Sequence, residues 1–129
     1  MTITVANARD FLVDGKVELP ENAVYVGRAA PRYGLKASPL ANPYHIGQWD
    51  YRRMHRPLQM NRSDCSEAYA VWLSYTPTLA SIMELTRLAD LARRAPLVLV
   101  CWCETWDGTG DAPGKCHAEI LRRVLEGMA

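Results

Sequence analysis

Cys101, Cys103, Cys116 and His117 stand around one glycine-rich segment, VLVCWCETWDGTGDAPGKCHAEIL, which spans residues 98–121 and carries three of the four cysteines. Thiols and an imidazole at this spacing point first to a metal centre. Cys101, Cys103, Cys116 and either His117 or Cys65 would supply four donors to zinc, which binds thiolates tetrahedrally at ~2.3 Å. On an extended strand, Cys101 and Cys103 project to one side with α-carbons about 6.6 Å apart, so both reach one ion only where the strand curls. Cys116 and His117 are neighbours and diverge by about 100° at a helix start. The set is therefore a poorer tetrahedron than two Cys-x-x-Cys pairs. A reactive thiol is the second chemistry. Cys116 falls where a helix begins, and the unpaired N–H groups there, with Lys115 and His117 beside it, favour thiolate. His117 or Glu119 would then move protons to and from a substrate. The third reading is packing: Cys101 and Cys65 fill space as small hydrophobes, with Trp102 as a core ring.

An anion site is legible in the same chain. Gly27 and Arg28 follow a short apolar strand, and Arg62 precedes a helix, so both arginines fall where strand ends meet helix starts. Arginine forks and helix N-termini together bind phosphate or carboxylate. Asn42, Tyr44 and His45 lie on the long segment between them, and Asn42-Pro43 reads as a turn able to aim the amide inward or to tie down its own backbone. Arg52, Arg53, Arg56 and Arg62, with Tyr51 and His55 among them, form a pattern that single-stranded nucleic acid can use. A formal net charge of +1 argues against nucleic acid as a partner. The GTG at 108–110 lacks the full phosphate-loop pattern.

The elements that must position these residues follow from pattern. TITV (2–5) and NAVYVGR (22–28) read as strands, separated by turn chemistry at Asp14-Gly15 and Pro20. Residues 29–62 show no sustained period and read as one long loop. RSDCSEAYAVWLSY is a helix with Ser63 or Asp64 as cap and Tyr69, Trp72 and Leu73 on one face. Leu79 to Arg94 is a second amphipathic helix. LVLVCW is a strand covered on both faces, and Cys116 to Gly127 is a third helix with Leu121 and Leu125 on its apolar stripe. This order predicts one α/β domain over residues 1–129, Rossmann-like, with a short, mainly parallel central sheet flanked by about three helices and one long loop. Ligands in such folds sit beyond the carboxyl ends of the strands.

With 129 residues the chain is long enough to bury a core without disulfides. Its composition, 49% hydrophobic and 22% charged, gives no bulk attraction to DNA or acidic membranes. No leader-like start and no apolar run of membrane-spanning length is visible, which predicts a cytoplasmic protein whose cysteines stay reduced.

VYVGR (24–28), SPLANPY (38–44), Arg62 before YAVWL (69–73), CWC (101–103) and CHAEIL (116–121) together resemble the bacterial and phage proteins grouped as domain of unknown function 4326. Twelve residues join CWC to CH here, where the family commonly has a short, proline-containing link. The resemblance implies the fold and the choice of site residues; the chemistry has to come from the side chains. The expectation is a domain that binds a small anionic or nucleotide-like ligand through Gly27, Arg28, Asn42, Tyr44, Arg62, Cys101 and Cys103, with Cys116, His117 and Glu119 adding catalysis on a nucleotide or nucleoside derivative. The alternative is a zinc- or iron-stabilised interaction module built on the Cys-x-Cys and Cys-His motifs. Aromatic residues of the 29–62 segment leave homo-oligomerisation open.

Overall fold

The computed structural model of the chain describes residues 2–44, 49–50, 58–59, 62–75, 77–102 and 117–128. Its central sheet has three parallel strands, β1 (Ile3–Asn7), β4 (Ala23–Tyr25) and β7 (Leu97–Cys101), in the order β1-β7-β4. Ile3 pairs with Leu97 and Asn7 with Cys101 on one side of β7, while Val24 pairs with Leu99 on the other. The strand nearest the C-terminus is thus the central one, which explains its unbroken apolar sequence.

Alternation along the strands divides the core in two. Leu97, Leu99 and Cys101 join Ile3, Val5, Val24 and Val26 on the face covered by the three helices. These are α1 (Arg62–Tyr75), α2 (Leu79–Arg94) and α3 (His117–Gly127). Val98, Val100 and Trp102 face the opposite way, where Ala8, Phe11, Val17, Leu19, Ala23 and Tyr25 cover them. All three helices therefore lie on one side of the sheet. The other side is covered by the link from β1 to β4: the 3-10 turn Ala8–Phe11 and a hairpin of β2 (Leu12–Val13) and β3 (Lys16–Val17). Asp14 and Gly15, at φ 51° and 79°, make the left-handed pair that a two-residue hairpin requires.

Two expectations change. The 29–62 segment is not one structureless loop: Pro31–Tyr33 forms a 3-10 turn closed by the Ala30–Leu35 bridge, and β5 (Trp49–Asp50) pairs antiparallel with β6 (Leu58–Gln59). Pro31 sets the first turn position, and Gly34 at φ 76° supplies the left-handed exit. α1 begins at Arg62, so Ser63 and Asp64 lie inside its first turn instead of at its cap, where Asp64 suits the positive helix end. α2 is capped by Thr78, whose Oγ1 accepts the Ser81 N–H at 3.1 Å. Among the described residues, no helix is long and apolar enough to cross a membrane.

Candidate functional site

Beyond the carboxyl end of β4 the chain runs through Val26, Gly27 and Arg28. Val26 extends the ladder by donating its N–H to the Val100 carbonyl at 2.9 Å. Gly27 is buried because the Tyr25 ring folds over it: the phenol donates to the Arg28 carbonyl at 2.6 Å, and a β-carbon at Gly27 would stand 2.5 Å from that hydroxyl oxygen. Gly27→Ala is expected to push the ring aside and cost about 1–2 kcal/mol in urea denaturation. An unchanged midpoint would refute this close-approach role.

The exposed Arg28 side chain turns across to the segment before residue 45. Its Nε donates to the Asn42 carbonyl at 3.1 Å and its Nη2 to the Tyr44 carbonyl. An arginine has five N–H donors, so two such bonds leave part of the fork for another acceptor. Asn42 uses both ends of its amide on backbone: Nδ2 donates to the Cys65 carbonyl at 3.2 Å, and Oδ1 accepts the Tyr44 N–H at 2.9 Å. Tyr44 in turn packs on Cys65 and Ala68 of α1. Of the two roles foreseen for Asn42, the structure shows the one that ties down the turn, here extended to hold the turn against the start of α1.

His117 opens α3 and reaches back to β4, its Nε2 lying 2.9 Å from the Val26 carbonyl oxygen. A carbonyl only accepts, so Nε2 carries the proton, and the lone pair of the neutral ring resides on Nδ1. Burial holds the imidazole below its usual pKa; the Val26 carbonyl opposes this, and the nearby Arg28 charge lowers the pKa further. The ring stands edge-on to Tyr69 of α1, with centroids 5.4 Å apart and planes at 87°. Tyr69 is fully buried and donates its hydroxyl to the Leu40 carbonyl at 2.5 Å. Its phenol is pushed well above the ordinary value, first by burial and then by the neighbouring Cys101 thiol, which also acts on Tyr25.

Gly27, Arg28, Asn42, Tyr44, the first turn of α1, the end of β7 at Cys101 and the start of α3 at His117 therefore meet at the carboxyl edge of the sheet. Cys101 belongs to the buried helix-side core there. Glu119 is not brought together with His117. Two residues apart on a helix, they point about 200° from each other, and the buried Glu119 carboxylate pairs with Arg122 one turn on. Cys103, Cys116, Lys115 and His45 lie outside the described residues, as do Tyr51, Arg52, Arg53, His55 and Arg56, and so does the side chain of Arg62. Among the described residues, no three His, Cys, Asp or Glu side chains are grouped as metal ligands.

The sequence model of one family, described as "Domain of unknown function (DUF4326)", matches residues 13–127. The chain belongs to that family. No curated protein matches it, and no solved structure does. The match begins inside the hairpin, at Val13, and takes in the strand-end site, while β1 and the Ala8–Phe11 turn lie before it. The segments that carried the resemblance are the ones the fold uses at this edge: VYVGR makes the end of β4 and the Gly27-Arg28 exit, SPLANPY the tied turn, YAVWL the Tyr69 face of α1, and the HAEIL of CHAEIL the start of α3. Reading the DUF4326 sequence alone passes over Tyr25, Leu40 and Tyr69 as site-building residues. Tyr69 had a signal, its place on an apolar helix face. The carbonyl of Leu40 that it meets has none, because backbone acceptors leave no trace in side-chain pattern.

Proposed function

We propose that this domain binds a small anionic ligand of nucleotide-like or sugar-phosphate type at the carboxyl edge of its parallel sheet, as a cytoplasmic protein of bacterial or phage origin. The single observation that supports this is the meeting of the exposed Arg28 fork with the N-terminal turns of α1 and α3 at that edge. Helix N-termini offer unpaired N–H groups and a positive dipole end, and arginine offers a planar fork. Arg62, Cys101 and Cys103 extend the proposed contact set. In this reading Cys116 is the nucleophile of any catalysed step and His117 Nδ1 its proton acceptor, while Glu119 stays paired with Arg122 within α3.

Thermal-shift titration with nucleotides, nucleosides, coenzymes and sugar phosphates tests this. A ligand at ten times its dissociation constant stabilises by about 1.4 kcal/mol, and Arg28→Ala is expected to abolish the response. A screen flat across all four classes overturns the reading.

One observation favours a second reading, a zinc- or iron-stabilised module. A ring whose Nε2–H is held by a backbone carbonyl keeps its lone pair on Nδ1, the arrangement that metal-ligating histidines adopt. Cys101, Cys103 and Cys116 would complete the set, and the metal would supply folding energy instead of catalysis. Near-stoichiometric metal in the purified protein, lost with chelator together with stability, would select this reading over the first.

A further inference from the structure

We propose that the loop leaving β4, together with the tip of the β2–β3 hairpin, is a docking strip for single-stranded nucleic acid. Between Glu21 and Asp50 the sequence holds Arg28, Arg32 and Lys36 and no carboxylate, in a chain with 14 Asp and Glu. Counted on to Ser63 it holds seven Lys and Arg against one Asp, a formal charge of +6, and the rest of the chain carries −5. The net charge of +1 is thus an average of two unlike parts, and it does not weigh against a polyanion at the positive one.

Contacts make the strip continuous. The loop is closed on itself by the Ala30–Leu35 bridge and by the Ser38 N–H, which donates to the Gly27 carbonyl at 3.0 Å. Arg28, Arg32 and Lys36 all belong to this one closed loop. Lys16 of the hairpin donates its Nζ to the Arg32 carbonyl at 3.0 Å, which joins the loop to the hairpin. The Arg32 guanidinium stands over the Tyr33 ring, 5.6 Å from its centroid, and Tyr33 meets Trp102 with ring centroids 4.9 Å apart. Trp102 shares the hairpin-side core with Tyr25, whose hydroxyl donates to the Arg28 carbonyl. All four cations are exposed, and among the described residues none of them pairs with a carboxylate, whereas Arg87, Arg93 and Arg122 on the helices do.

This combination decides the occupant. A lone phosphate engages one or two cations, whereas a row of four, with the α-carbons of Arg28 and Arg32 up to about 14 Å apart, suits a ligand with repeated charges. A guanidinium held over an aromatic ring adds a stacking platform, and only unpaired bases can lie on it. The strip shares Arg28 alone with the strand-edge site, so it stands or falls separately from the small-ligand reading.

Fluorescence anisotropy of a labelled oligothymidylate of about twelve nucleotides, titrated with the full chain, tests it. The expected result is saturable binding at ~50 mM salt that weakens with a log–log salt slope of about −2 to −3, as three or four phosphate contacts on a single strand require. Arg32→Ala should raise the dissociation constant at least about fivefold, and Arg32→Glu combined with Lys36→Glu should abolish binding. Both positions are exposed, so the melting temperature should not fall. Arg123→Ala removes the same charge from an exposed position on α3 and should leave the affinity unchanged. No binding by ~100 µM protein, equal losses in Arg32→Ala and Arg123→Ala, or displacement as readily by a duplex or by oligoglutamate of the same charge, overturns the proposal.

Discussion

Replacing Tyr69 with alanine is expected to destabilise the fold by about 3–5 kcal/mol, the cost of emptying an aromatic site in a packed core. Tyr69 is the side chain where three parts of the molecule lock together. Its hydroxyl holds the Leu40 carbonyl of the tied turn, and its ring lies 5.9 Å from Trp72 in near-parallel contact and edge-on to His117 of α3. Tyr69→Phe keeps the ring and removes only the bond to Leu40, which leaves a buried carbonyl without its donor and costs about 1–2 kcal/mol. Urea denaturation of the two variants separates the contributions. An alanine variant within ~0.5 kcal/mol of wild type, as at an exposed position, would show that the ring is not a keystone.

Acid should weaken this protein through His117. The folded imidazole is held below its ordinary value, chiefly by burial, while in the unfolded chain it titrates near 6.5. Above that pH the ring is neutral in both states and stability is complete. As pH falls below it, the unfolded state takes up a proton that the folded state refuses, and stability declines by up to about 1.4 kcal/mol per pH unit until the folded ring itself protonates. Protonation also puts a second positive charge beside Arg28 and leaves Nδ1 carrying a proton instead of a lone pair. His117→Gln can still donate to the Val26 carbonyl and lacks the titration. The difference between wild type and His117→Gln in stability against pH isolates the effect, and parallel curves between pH 7 and 5 would refute it.

Much of this architecture can be read from residue pattern because burial writes itself into side-chain spacing. The unbroken apolar run LVLVCW, the Leu79–Leu91 stripe and the Asp14-Gly15 turn each correspond to an element that forms. Strand order was not legible, since nothing in the local pattern of β1 or β4 says that both pair with one strand, 94 and 75 residues later respectively (Ile3 with Leu97, Val24 with Leu99). Helices on one face only were equally hidden: an apolar run is the same whether a helix or a hairpin covers it. For the site, the sequence named Arg28, Asn42 and His117, and these do converge. It could not show that their polar atoms are turned to the carbonyls of Asn42, Tyr44, Cys65 and Val26, because a side chain bound to backbone and one awaiting a ligand look alike in sequence.

The position of β7 between β1 and β4 sets the order in which this protein can assemble. As the chain leaves the ribosome, β1 and β4 emerge early, yet they are not neighbours, and each presents its pairing edge to a strand still to be made. Nothing before Leu97 closes the sheet. Loop-closure entropy across that span must be met before any ladder bond rewards it, which makes folding slow relative to a helical bundle of this size. Until then two apolar edges stay open to mispairing, and a nascent chain stalled before β7 is the species a chaperone would meet.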